Sequence, residues 1–154
     1  MQDVLLFLHV IGATVLLGTG AGIAFFMVVA HHSRDARLIA HVAGIVVLAD
    51  TLFTATAVVL QPVTGFLLAQ AAGWPVMTGW VAISLALYVM VGAFWLPVVW
   101  MQVRMRNLAR AARDLGQPLP LAYHRLFRWW FACGFPAFAG VLAILWLMLT
   151  KPAI

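Results

Sequence analysis

The chain has 154 residues, of which 66% are hydrophobic and 8% are charged, and its mean hydropathy is +1.07. Soluble domains carry about 25% charged residues, so this composition excludes an ordinary soluble protein and indicates one integral membrane domain. The single cysteine, Cys133, excludes an intramolecular disulfide and a cysteine-based zinc site. The formal charge of +5 comes from arginines that border apolar stretches, which favours contact with lipid headgroups over nucleic acid.

Long apolar stretches predict an all-α, antiparallel four-helix membrane bundle. The predicted helices cover residues 4–30, 39–71, 76–103 and 126–149, with a cytoplasmic segment at 104–125. Pro62 is expected to kink the second helix and to free a backbone carbonyl one turn earlier. The first half of the cytoplasmic segment is expected to continue as helix until Gly116, Pro118 and Pro120 break it.

Arginines flank two of the three connections between these helices. Arg34 and Arg37 lie between the first two helices, and six more arginines lie between or beside the last two. The connection at residues 71–75 has no charge. Basic loops stay in the cytoplasm, so both termini are expected to lie outside.

His9 is the one ionisable side chain within residues 4–30. An imidazole in hydrocarbon needs a hydrogen-bond partner, a metal or a water-lined cavity. Gly12 lies one turn later on the same face, and because it has no side chain it leaves space beside the ring. We therefore expect His9 to bind a metal or cofactor, with Gly12 beside it. The alternative is a structural hydrogen bond to a neighbouring helix.

Polar residues interrupt the second predicted helix. Asp50 is expected to shuttle protons, and Gln61 is expected to lie at a depth similar to that of His9, which makes both candidate catalytic residues. The alternative for Asp50 is a buried acid that is hydrogen-bonded to Thr54 or paired with Arg128.

Four further candidates for cofactor binding lie near helix ends. His41 and His124 are candidate second ligands, with contact to lipid headgroups as the alternative. The polar residues fall into two layers, an arrangement that resembles a four-helix membrane cytochrome, and in such a protein Arg128 would bind the propionates of an inner haem and Lys151 those of an outer haem. The small-residue spacing of Gly18 and Gly22 favours a homodimer.

Four segments together carry a family resemblance: LHVIGATVLLGTGAGIAFFM (8–27), VVLADTLFTATAVVLQPVTG (46–65), LPVVWMQVRMRNLA (96–109) and YHRLFRWWFACGFPAF (123–138). They resemble a bacterial family of small predicted integral membrane proteins that is known by a domain of unknown function. The resemblance covers nearly the whole chain. It implies a multi-pass protein of the bacterial inner membrane and no particular activity.

The Leu8-His9-Val10 and Lys151-Pro152 motifs more distantly resemble the first and last helices of HemJ-type protoporphyrinogen oxidases and CopD-like membrane proteins. The HemJ type is a four-helix membrane protein that binds a b-type haem, and its first-helix histidine is implicated as a ligand. The resemblance therefore implies that His9 is an axial ligand of haem b.

The leading prediction is a b-type haem protein that transfers electrons or oxidises a hydrophobic substrate, such as a porphyrinogen or a quinol. Membrane lipid and a quinone or porphyrin are the expected partners. The alternative is a carrier, metal-handling partner or assembly factor without haem, in which Asp50 gates a polar pathway. The seven methionines form no Met-x-x-Met cluster, which favours core packing over copper binding.

Overall fold

The computed structural model describes residues 2–153 and consists of helices joined by short connections. The helices are α1 (Gln2–Ser33), α2 (Ala36–Ala49), a π-helical turn (Asp50–Thr54), α3 (Ala55–Ala71), α4 (Gly79–Leu115) and α5 (Leu121–Thr150). Because α2, the π-helical turn and α3 follow one another without a break, they form one long helix. The described residues thus contain four helices long and apolar enough to cross a membrane, which confirms the predicted fold class.

The helix ends differ from the predicted ones. Helix α4 begins at Gly79 rather than at residue 76, and it continues to Leu115, where Gly116 ends it in the left-handed conformation (φ 63°). This confirms the predicted helical projection and its break. Helix α5 begins at residue 121 rather than 126, because Pro120 is extended and Tyr123 in the first turn is fully buried.

The helices form two hairpins that meet at one end of the bundle. Helix α1 packs against the long second helix, and α4 packs along α5. We call the end with the connections 34–35 and 116–120 the arginine end, and the end with residues 2, 72–78 and 151 the terminal end. At the arginine end α2 packs against α4 around Met27, Ile39 and Met105, which are fully buried. Towards the terminal end, α3 makes little contact with α4 or α5.

Pro62 lies inside α3, which stays helical through it. Because proline has no N–H, the carbonyl of Val58 four residues earlier loses its usual helical donor. The hydroxyl of Tyr88 on α4 donates to this carbonyl. The predicted free carbonyl is therefore satisfied by the opposite hairpin.

The π-helical turn at Asp50–Thr54 is a feature of the second helix that the sequence did not predict. Such turns are rare and occur frequently at functional sites. Ala55 N–H bonds to the Asp50 carbonyl across this turn. The side chains of Asp50 and Thr54 are 4% and 6% exposed, so both ends of the turn face the interior.

Candidate functional site

A cavity of about 950 Å³ lies between the two hairpins. All four long helices contribute to its walls, which are mostly apolar. Ligand pockets commonly measure about 300–1,000 Å³, so this volume suits a ligand the size of a cofactor. The few polar residues of the walls include His9, Gln61, Asp50, Gln102 and Lys151.

His9 is buried between α1 and α3 and contributes to the cavity wall. Its Nδ1 lies 2.8 Å from Oγ1 of Thr64. Thr64 Oγ1 also lies 2.8 Å from the Leu60 carbonyl and 3.3 Å from the Gln61 carbonyl. These carbonyls only accept, so when the hydroxyl hydrogen points to one of them, the hydroxyl oxygen accepts from Nδ1 of His9.

With the hydroxyl in that orientation, a neutral His9 has its hydrogen on Nδ1. Nδ1 carries the hydrogen that Thr64 accepts, so Nε2 carries the lone pair. Nε2 makes no hydrogen bond with any residue between 2 and 153. The cavity-lining imidazole therefore has one nitrogen fixed by the protein and one available to a ligand.

Small residues allow α1 and α3 to approach closely around His9. Gly65 packs on the ring, and a Cβ at this position would lie 3.1 Å from His9 Cε1. Gly12 packs on Gln61, and a Cβ there would fall on the Gln61 amide nitrogen. Ala13, rather than Gly12, belongs to the cavity wall. The space that Gly12 clears is thus taken by a side chain of α3.

Gln61 contacts the backbone of α1 rather than the imidazole. Its Nε2 donates to the carbonyl of His9 over 2.8 Å, and the side chain is buried. The structure therefore places Gln61 at the depth of His9, as predicted, and in contact with the backbone of that residue. Gln61 positions the helical turn that carries the ring.

Asp50 links the two hairpins through a buried polar network. Trp95 Nε1 on α4 donates to Asp50 Oδ1 over 3.3 Å. In the amide orientation that satisfies both of its neighbours, Gln102 on α4 donates to Asp50 Oδ2 over 3.0 Å and accepts from Trp130 Nε1 over 3.3 Å. Trp130 belongs to α5, so the network joins three of the four long helices.

The alternative pairing of Asp50 with Arg128 is wrong. Arg128 is exposed at the arginine end, while the carboxyl of Asp50 faces the interior. The side chain of Thr54 lies beside this carboxyl, but its buried hydroxyl completes no hydrogen bond within the described part of the chain.

The remaining predicted cofactor residues are divided between the two ends. His41, His124 and Arg128 are exposed near the arginine end and are not part of the cavity wall. Lys151 follows the last turn of α5 and contributes to the cavity wall at the terminal end. The structure thus brings together His9 and Gln61, with Asp50 and Lys151 on the same cavity.

Three histidines of the arginine end, His31, His32 and His124, belong to an aromatic cluster. The ring of His31 stacks on Phe127, with centroids 3.6 Å apart and planes 5° from parallel. Its Nδ1 lies 3.3 Å from the hydroxyl of Tyr123. Across residues 2–153, no group of three or more His, Cys, Asp or Glu side chains is arranged to hold a metal ion. We therefore interpret this cluster as packing between α1 and α5.

A model of one protein family matches residues 3–152, nearly the full length of the chain. Its description is "Predicted integral membrane protein (DUF2269)". The chain belongs to this family. No curated protein and no solved structure matches the chain. Membership confirms the predicted family of membrane proteins, whereas the distant resemblance to HemJ-type proteins stays a prediction.

Sequence reasoning missed four residues of the site in this DUF2269 protein. Thr64 holds the ring of His9, while Trp95, Gln102 and Trp130 form the network of Asp50. One signal was present for Thr64, which follows Gln61 by three residues and so lies on the same face of the helix.

Proposed function

We propose that this DUF2269 protein is a b-type haem-binding protein of the bacterial cytoplasmic membrane. In this proposal it transfers electrons or oxidises a hydrophobic substrate, such as a porphyrinogen or a quinol. One observation carries the proposal: Thr64 fixes Nδ1 of His9 and leaves Nε2 as the free nitrogen of a cavity-lining imidazole.

The residues of the cavity fit a haem with one histidine ligand. Histidines that bind a metal almost always donate their second ring N–H to a nearby oxygen, which fixes the ring. Thr64 provides this oxygen. The cavity volume and its mostly apolar walls suit a porphyrin, and Lys151 offers a cation for a propionate.

Haem b supplies a redox-active iron when it is bound. The chain's own residues would hold and shield this group. His9 would bind through Nε2, and Thr64 would keep the imidazole oriented. Gln61 would hold the turn of α1 that carries His9. The apolar walls would exclude water from the site.

The visible absorption spectrum of the purified protein tests this proposal. After expression with ample haem, we expect a Soret band that is lost in His9→Ala and kept in His41→Ala. His41 is exposed and lies outside the cavity wall, so it serves as a matched control. A colourless wild-type protein, or a Soret band unchanged in His9→Ala, would refute the proposal.

The second candidate is a carrier that holds a hydrophobic ligand without haem. The weak packing of α3 against α4 and α5 favours it, because a gap between helices gives membrane-dissolved molecules a route to the cavity. A colourless protein that still binds a quinone analogue in a saturable manner would support this candidate over the haem protein.

A further inference from the structure

We propose that the inner section of the cavity, between the layer of His9 and the network of Asp50, holds the linear hydrocarbon tail of a quinol. The ring of the quinol lies on the His9 side. This assignment rests on the proposed function and deepens it, because it selects a tailed quinol over a porphyrinogen as the hydrophobic substrate. The length of the cavity, the pairing of its polar side chains and its charge support the assignment.

The cavity is a long cleft rather than a round pocket. On α5 its wall extends from Trp130 to Lys151, which at 1.5 Å per helical residue is about 32 Å, close to the full thickness of a hydrocarbon core. On α1 the part of the wall from His9 to Gly20 is itself about 16 Å long. A ring bound at His9 leaves most of this length empty, whereas a linear tail can fill it.

Three glycines from three helices widen the inner section. Gly20 on α1, Gly92 on α4 and Gly134 on α5 line the cavity, and a Cβ at any of them would meet no atom within 4 Å. Gly92 and Gly134 lie one turn from Trp95 and Trp130 of the network. By contrast, the glycines between α1 and α3 pack against side chains of the facing helix. The inner glycines therefore leave room for a ligand.

The polar side chains at the inner end bond to one another. The oxygens of Asp50 accept from Trp95 and Gln102, and the amide oxygen of Gln102 accepts from Trp130. The hydroxyl of Thr54 lies beside the carboxyl and is buried. A polar ring at this end would lose its hydrogen bonds to water without matched replacements, whereas a hydrocarbon tail needs none. The tail therefore belongs at the inner end and the ring on the other side.

The few charges on the wall favour an uncharged substrate. Across residues 2–153, the wall includes one lysine, Lys151, and no arginine. A porphyrinogen carries several carboxylates, which need cations when they leave water. In the proposed function, Lys151 is already assigned to a haem propionate. A quinol is uncharged, so it can enter this cavity without a further cation.

Photo-crosslinking of the protein in lipid vesicles tests the position of the tail. The probe is a benzoquinone, the oxidised form of a quinol, with a dodecyl tail that carries a diazirine at its far end. We expect the label around Gly92 and Gly134, and we expect an excess of the unlabelled dodecyl quinone to reduce it at least tenfold. A label confined to lipid-facing positions, or one that the excess does not reduce, would overturn the inference.

Two further arms of the experiment test the ring. A probe with the diazirine beside the ring should label α1 and α3 around His9, and the reverse pattern of the two probes would overturn the orientation. Tetradecanoic acid should compete poorly, because its head is a carboxylate. Equal competition by this acid and by the quinone would overturn the assignment of a quinol.

A matched pair of glycine variants on α1 tests the inner section itself. Gly20→Leu places a side chain in the cavity, whereas Gly18→Leu places the same side chain at an exposed position outside the cavity wall. We expect the tail label to fall at least tenfold in Gly20→Leu and to stay at the wild-type level in Gly18→Leu. Gly92→Leu fills the same section from α4 should Gly20→Leu fail to fold. A tail label that survives in these cavity variants would overturn the inference.

The visible spectrum of the same wild-type sample separates this inference from the proposed function. A tail label at the inner section of a colourless protein would support the tail site and refute the haem. A Soret band without a competed tail label would support the haem and overturn the tail site.

Discussion

Thr64 occupies one nitrogen of His9 and leaves the other without a protein partner on the wall of the cavity. When the hydroxyl of Thr64 donates to the backbone of α3, its oxygen accepts from Nδ1 of the imidazole. If Thr64 bonded only to its own helix, the protein would hold neither nitrogen of the His9 ring. One hydroxyl thus orients the ring on which the proposed function depends.

Thr64→Val removes this acceptor with little change of volume. We expect a loss of about 1 kcal/mol in the free energy of unfolding, because Nδ1–H stays buried without a partner. If haem binds to His9, its retention should fall about 10–100-fold, as is typical when a partner of a metal-binding histidine is lost. Unfolding in mixed micelles and haem content after gel filtration measure the two effects.

Thr56→Val is the matched control, because Thr56 is exposed on the same helix and bonds only to its own backbone. Thr64→Ser should behave like the wild type. Equal losses in Thr64→Val and Thr56→Val would mean that the contact with His9 contributes nothing.

The sequence predicted that His9 needs a partner but not that the partner is Thr64. A lone imidazole in an apolar helix costs free energy unless it has a partner, and residues 4–30 alone are enough to predict this need. The sequence does not predict which face each helix turns towards its neighbours, because these helices are apolar nearly all round. For the same reason the sequence offered Arg128 as a partner of Asp50, although Arg128 faces outward.

At the scale of elements, Tyr88 on one hairpin replaces a backbone hydrogen bond that Pro62 removes from the other hairpin. The proline removes a helical donor from the Val58 carbonyl, and the tyrosine hydroxyl replaces it. This contact lies where α3 otherwise packs little against α4, so it helps to set the width of the cavity.

Tyr88→Phe should lower the free energy of unfolding by about 0.5–1.5 kcal/mol, because it leaves the Val58 carbonyl without a donor. In a Pro62→Ala background the new N–H can donate to that carbonyl, so the same substitution should cost close to nothing. A double-mutant cycle of unfolding free energies measures this coupling. Additive effects of the two substitutions would contradict the proposed compensation.

The hairpin of α4 and α5 depends on a close contact at Gly140. A Cβ at this position would lie 2.6 Å from Val91 Cγ2 and 3.0 Å from Met90 Cε. We expect Gly140→Ala to destabilise the protein by about 1–3 kcal/mol, as overpacking commonly does. Gly134→Ala on the same helix meets no atom within 4 Å and should leave stability unchanged or slightly raised. Similar free energies of unfolding for Gly140→Ala and Gly134→Ala would contradict the close contact at Gly140.

The sequence predicted the existence of the elements well and their details less well. Four apolar spans follow directly from hydropathy, and Gly116 marks the end of α4 because it adopts the left-handed conformation. The π-helical turn at Asp50–Thr54 has no such signature, since its residues suit an ordinary helix. The early start of α5 has a local signal in Pro120, whereas the burial of Tyr123 in the first turn is a tertiary contact that no local pattern reveals.

At the scale of the whole molecule, the arginines predict the orientation of the bundle. Arginines cluster at one end, so we expect this end in the cytoplasm and both termini outside. In a Cys133→Ser background, Thr78→Cys should react with a membrane-impermeant thiol reagent on intact spheroplasts. Gln117→Cys should react only after permeabilisation. The opposite labelling pattern would reverse the predicted topology.

The two-hairpin architecture explains how one small chain can hold a large ligand. The hairpins pack tightly at the arginine end and separate towards the terminal end, which leaves the cavity between them. The walls include Trp74, Trp80, Trp95 and Trp130, so a bound chromophore would lie close to four of the seven tryptophans. The intrinsic fluorescence of the protein therefore reports on occupancy of the cavity.

Titration of haem into the vesicle-reconstituted protein, with tryptophan fluorescence and visible absorption recorded together, tests the central claim most directly. We predict saturation at one haem per chain, with fluorescence quenching and a growing Soret band, and at least tenfold weaker binding in His9→Ala. Quenching that does not saturate, or that is equally strong in His9→Ala, would contradict the claim that His9 presents its free nitrogen to a haem in this cavity.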